Sequence, residues 1–107
     1  MIDQDTAVAS IKSRLAQTAT WRRGLCDRYP NDPRNAPAAA ALDDLATGGD
    51  VNAATWEAIE PHFNSQMFDS VLNDCGRDVG FRTSPKNFNA LLVAIADKID
   101  FRTGGAL

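Results

Sequence analysis

Hydrophobic positions recur at spacings of three and four along most of this chain, and strict alternation is absent, so the pattern predicts helices rather than strands. The strongest stretch is SPKNFNALLVAIADKIDF, residues 84–101. Phe88, Leu91, Leu92, Ile95 and Ile99 fall on one helical stripe, and Val93 adds a second apolar face. A helix that is apolar nearly all round is usually a buried one. The spacing therefore predicts a central helix over about 84–101, capped by Ser84 with Pro85 in its first turn.

The other elements follow from stripes and stop signals. Asp3 or Asp5 can cap a first helix bearing Val8, Ile11 and Leu15, followed on a shifted face by Trp21 and Leu25. Thr18, Thr20 and Gly24 are poor helix interiors, so this helix is expected to bend near Thr20 or to break in two. Tyr29-Pro30 should end it. After the turn-forming segment PNDPRNA, Asn35 can cap a second helix with Pro37 in its first turn. That helix carries a narrow stripe of Ala38, Ala41, Leu42 and Leu45 and stops at Gly48-Gly49.

Asn52 can cap a third, short helix, with Val51 and Trp56 as a hydrophobic staple, and Pro61 closes it. Asn64 or Ser65 can cap a fourth, striped by Phe68, Val71, Leu72, Cys75 and Val79 and ended by Gly80, with Phe81 folding back toward Cys75. Gly104-Gly105 closes the last helix in a similar way. The predicted fold is all-α: one domain over residues 1–107, a bundle of about five helices with the C-terminal helix central. The expected core is Val8, Ile11, Leu15, Leu25, Leu42, Leu45, Trp56, Ile59, Phe68, Val71, Leu72, Phe88, Leu91, Leu92, Ile95 and Ile99.

A local similarity cuts across this pattern. Offset by 20 residues, the stripe ending in Phe81-Arg82-Thr83 matches the one ending in Phe101-Arg102-Thr103. Helical repeats are longer and come in several copies, so two helices that end alike is the simpler reading.

Composition narrows the function classes. A net charge of −3 argues against binding to nucleic acid or anionic membrane through total charge alone. No apolar run approaches the roughly 20 residues of a membrane span. Acids occupy the beginning of the chain, where a secretory signal needs a basic region, so a cytoplasmic location is expected. The abundance of Ala, Arg and Asp over Lys points weakly to a bacterial, GC-rich source. Cys26 and Cys75 are expected to be reduced thiols. No metal-ligand spacing and no phosphate-binding glycine loop occurs, so neither a metal nor a cofactor is expected.

Charge is segregated. Residues 20–35 carry Arg22, Arg23, Arg28 and Arg34 against Asp27 and Asp32, while residues 43–60 carry five acids and no base. Arginine beside Trp21 and Tyr29 has the residue types of a contact surface, because guanidinium forks bind carboxylate or phosphate and rings stack. Trp21, Arg22, Arg28, Tyr29 and Arg34 are therefore the candidate partner-binding residues. The neighbouring acids offer these arginines an intramolecular alternative.

A small acidic chain without a catalytic motif is expected to act as a protein-interaction module, regulatory or inhibitory, whose partner is another protein. The alternative is phosphate or nucleic-acid contact through residues 21–34. A second alternative, from a different class, is a small hydrolase using His62 beside Glu57 and Glu60. A helix-turn-helix is disfavoured, because its recognition helix would be the most apolar one in the chain.

Overall fold

The described residues form five α-helices: α1 (Gln4–Arg28), α2 (Asn35–Thr47), α3 (Ala53–Ile59), α4 (Gln66–Asp78) and α5 (Phe88–Arg102). These come from a computed structural model that describes residues 3–104. A single 3-10 turn, Glu60–His62, follows α3, and the one β-bridge among the described residues pairs Val79 with Thr83. The architecture is an all-α bundle.

Helix α1 is continuous, so of the two expected forms it is the single long helix, and the break near Thr20 does not occur. Asp3 caps it by accepting from the Thr6 amide. Thr18 and Thr20 turn their hydroxyls back onto the carbonyls of Arg14 and Ala16, which satisfies the polar side chains without interrupting the backbone ladder. Helix α2 returns along α1 after the loop at residues 29–34, and small side chains make the contact: Ala19 on α1, Ala38 and Ala39 on α2, all buried.

Asn52 caps α3 and Ser65 caps α4, each accepting from the amide three residues on. Asn64, the other candidate for the α4 cap, instead takes the left-handed conformation at φ 68°. Phe63 and Phe68 still meet across that turn, ring centroids 5.4 Å apart.

Helix α5 begins at Phe88 rather than Ser84. The Asn87 side chain accepts from the Ala90 amide and sets the start. Ser84, Pro85 and Lys86 lie in the connection from α4, which turns sharply at Gly80 and ties the Phe81, Arg82 and Thr83 amides to the Asp78 carbonyl. Phe88, Leu91, Leu92, Ile95 and Ile99 are all essentially inaccessible, and α5 packs against both α3 and α4. Its outer side is open, where Val93 and Phe101 are exposed.

Of the expected core, Val8, Leu25 and Trp56 are half-buried and all the others are buried. The two Phe-Arg-Thr segments differ in backbone. Phe81–Thr83 follows a left-handed glycine in a turn, whereas Phe101 and Arg102 belong to α5 and the left-handed Gly104 comes after them. Gly105, the second residue of that expected stop, lies outside the described residues.

Candidate functional site: an arginine–aromatic array across three helices

Arg22 lies in the penultimate turns of α1, on the side that faces α2 and α4, and is only 7% exposed. Its guanidinium donates to the Asn35 side-chain oxygen at the start of α2 (3.3 Å) and to the backbone carbonyl of Arg77 in the last turn of α4. The carbonyls of a final helical turn have no partner within their own helix. Arg22 therefore caps α4 from across the bundle and satisfies the buried amide of Asn35 at the same time.

Among the described residues no carboxylate touches Arg22, and its Nε has no hydrogen-bond partner. The remaining contacts are ring faces. The Arg22 guanidinium lies 4.1 Å from the Phe81 ring centre and 4.5 Å from that of Trp21. Arg34 approaches Phe81 at 4.7 Å, and Arg77 approaches Trp21 at 5.3 Å. Arg34, Phe81, Arg22, Trp21 and Arg77 thus form one connected array of three guanidiniums and two rings. Such contacts stabilise by about 0.5–1 kcal/mol where exposed and about 2 kcal/mol where desolvated. Burial, and then the nearness of Arg77 and Arg34, push the Arg22 pKa below its ordinary value.

Asp32 fixes the Arg34 end. Its carboxylate accepts from the Arg34 backbone amide at 3.0 Å and from Nε and Nη2, along one edge of the guanidinium, at 2.9 and 2.8 Å. These bonds hold the Asp32 carboxyl down to about 2, and they raise the Arg34 pKa in turn.

The candidate residues therefore divide. Arg22 and Arg34 converge on Phe81, and Trp21 joins them through Arg22. Arg28 and Tyr29 do not: they border a separate open groove of about 570 Å³ around the loop at residues 28–33, where Tyr29 is 60% exposed. Arg22 and Tyr29 do not share a contact surface, because Arg22 points inward and Tyr29 leaves the helix at φ −130°. Arg23 makes the one ion pair between the basic and acidic runs among the described residues, to Asp43 at 2.8 Å.

Sequence reading missed two members. Phe81 was expected to cover Cys75, but Gly80 turns it toward the arginines instead. Arg77 has no signal in its own neighbourhood, and only the packing of α4 on α1 brings it to Trp21. Beside it lies a cleft of about 160 Å³ between the two helices, lined by Arg14, Gln17, Thr18 and Trp21 from α1 and by Asn73 and Arg77 from α4. Spacings of three and four on α1, and of four on α4, place these side chains in facing rows.

The other candidate chemistry stays dispersed. His62 sits in the 3-10 turn, where its backbone carbonyl accepts from Ser65, and its ring makes no hydrogen bond among the described residues. Nothing joins its ring to Glu57, Glu60 or Cys26. Both cysteines are free, Cys75 buried and Cys26 half-buried. No cluster of three metal-ligating side chains occurs among the described residues. No helix there is long and apolar enough to cross a membrane.

Compared with family models, curated proteins and solved structures, the chain matches none.

Proposed function

We propose that this chain is a small helical protein-interaction module, acting in the cytoplasm without catalysis, and that it engages its partner through the face built around Trp21 and Phe81. One observation carries the reading: the arginine–aromatic array is exposed at its rings yet fixed at two of its three guanidiniums, Arg22 and Arg34. Trp21 is 42% exposed and Phe81 36%, while Arg22 is bonded to α2 and α4 and Arg34 is held by Asp32. Tryptophan and arginine dominate the energetics of protein interfaces, and a surface ordered in advance loses less entropy on binding. The excess of guanidinium over carboxylate favours a partner segment that is acidic.

The same cations support a second reading, contact with nucleic acid, since guanidiniums and stacked rings also bind phosphate and bases. No contact of His62 supports a hydrolase. A capture experiment separates the two binding readings. The immobilised chain is exposed to extract of its source cells with and without nuclease, alongside Trp21→Ala. A protein retained after nuclease treatment and lost with Trp21→Ala supports the module. Loss of every bound species on nuclease treatment transfers the face to nucleic acid.

A further inference from the structure

We infer that the cleft between α1 and α4 is a binding pocket for a phosphate monoester, separate from the exposed rings but sharing Trp21 with them. It rests on the interaction reading only in that the ester would be carried by the partner segment. Its chemistry stands on the cleft itself.

The lining is rich in donors. Arg77 makes no side-chain hydrogen bond or ion pair among the described residues, so its guanidinium fork is uncommitted. Arg14 is partly engaged, by Asn73 at 3.0 Å and by a long contact to Asp69 at 3.4 Å. Because the Asn73 oxygen is occupied by Arg14, the amide nitrogen is the end of Asn73 left to donate. Gln17 adds a second amide. Thr18 adds no donor, since its hydroxyl is given to the Arg14 carbonyl. No carboxylate lines the cleft.

Charge argues the same way. Folding brings Arg14 and Arg77 to one cleft and places the buried Arg22 on the other contact of Trp21; Asp69 pairs with Arg14, and Asp32 and Asp78 lie near Arg22 without pairing with it. Crowded like charges are relieved by a bound anion. A guanidinium accepts no hydrogen bond and matches an oxyanion by forming two parallel ones. A tetrahedral phosphate offers enough acceptor oxygens to use both arginines and both amides. The Trp21 ring forms one wall, which suits the organic group that a monoester carries and free phosphate lacks. The residues that make this pocket are spread from Arg14 to Arg77 and become neighbours only in the folded chain.

The test is a titration of the full chain, followed by the Trp21 indole and the Gln17 and Asn73 side-chain amide signals in two-dimensional NMR. The probes are inorganic phosphate, phenyl phosphate and, at matched ionic strength, sodium chloride. Saturable shifts are expected with both phosphates and tighter binding with the phenyl ester. Arg77→Gln should weaken both by about tenfold or more, the effect of losing a charge-assisted pair. This variant keeps the Arg77 carbonyl that Arg22 uses, so its melting temperature should stay close to that of the wild type. Arg82→Gln, an exposed arginine outside the cleft, should bind as wild type does. Shifts that chloride reproduces, or that survive Arg77→Gln, would overturn the pocket. If the captured protein partner is lost with Trp21→Ala but held equally by Arg77→Gln, the interaction face stands and the phosphate pocket falls.

Discussion

Gly80 lies against Ala38 so closely that a β-carbon on Gly80 would stand 2.9 Å from both the α- and β-carbons of Ala38. The turn after α4 is thereby pressed onto the first turn of α2, and it is this turn that delivers Phe81 to Arg22. Gly80 also holds φ at +80°, where an L side chain is strained. Gly80→Ala combines a backbone penalty with a clash against a backbone atom. It should cost about 2 kcal/mol or more, read as a fall in the midpoint of denaturant unfolding.

Gly76 behaves in the opposite way. It is buried inside α4, yet a β-carbon there would meet Thr18 and Leu15 at 3.6–3.9 Å, which is ordinary packing distance. Gly76→Ala should raise stability by about 0.5–1 kcal/mol, because alanine loses less backbone freedom in a helix. A loss of stability would mean that α1 and α4 are closer than described. The contrast between the two glycines, one substitution harmful and the other helpful, is the measurement to make.

Arg22→Ala should destabilise the fold by about 2–4 kcal/mol, since it orphans the Asn35 oxygen and the Arg77 carbonyl and removes the nearer of the two cations from each ring. Arg22→Lys should recover only part of this, because one ammonium cannot reproduce the planar fork. Thermal melting of the pair checks both. Arg22 is accordingly a poor probe of binding, and Arg34, Trp21 and Arg77 are the residues to vary for that purpose.

Asp32 gives a pH-dependent signature. Its carboxyl is depressed from 3.8 to about 2, mainly by the Arg34 side chain and then by the Arg34 amide. A depressed carboxyl contributes stability that is present above its unfolded value and lost as pH falls through about 2. Carbon-detected NMR titration should find Asp32 among the most acidic carboxyls in the chain. Arg34→Ala should return it most of the way toward 3.8, with the remaining backbone bond holding it slightly below. An unchanged titration would show that the fork does not form in solution.

The thiols should react in order. Burial pushes the Cys75 thiol up, so it carries little thiolate and little access. Cys26 is half-buried and should be modified first by a thiol reagent under native conditions, with Cys75 following only on unfolding. Simultaneous modification would place Cys75 nearer the surface than the packing shows.

The comparison between sequence and structure turns on range. Caps at Asp3, Asn52 and Ser65, the stops at Gly48 and Gly80, and the stripes of α4 and α5 are encoded within a few residues, and they were legible. The α5 start was misjudged because Ser84-Pro85 and Asn87 are both plausible openings, and the tight turn at Gly80 decides between them. The candidate site was half legible. Arginines beside Trp21 are visible in the chain, but Arg22 reads as a surface charge until its partners 13 and 55 positions away are known. Arg77 has no local mark at all, and Phe81 is marked only as the residue that follows Gly80, which does not say what it meets. The charge runs suggested pairing, and only Arg23 with Asp43 fulfils it.

Helix α1 buries Ala7, Ile11, Leu15, Ala19 and Arg22, and nothing fully beyond that point. Its last two turns, from Arg23 to Arg28, add to their backbone bonds only the exposed Arg23–Asp43 ion pair and the half-buried Leu25 and Cys26, and Tyr29 and Pro30 beyond them are exposed. Amides in that end should exchange with solvent through openings that leave the rest of the bundle closed, and much faster than those between Ile11 and Ala19. Arg22 is then the boundary between a rigid rod and a segment that can breathe, with the groove beside Tyr29 entirely on the breathing side.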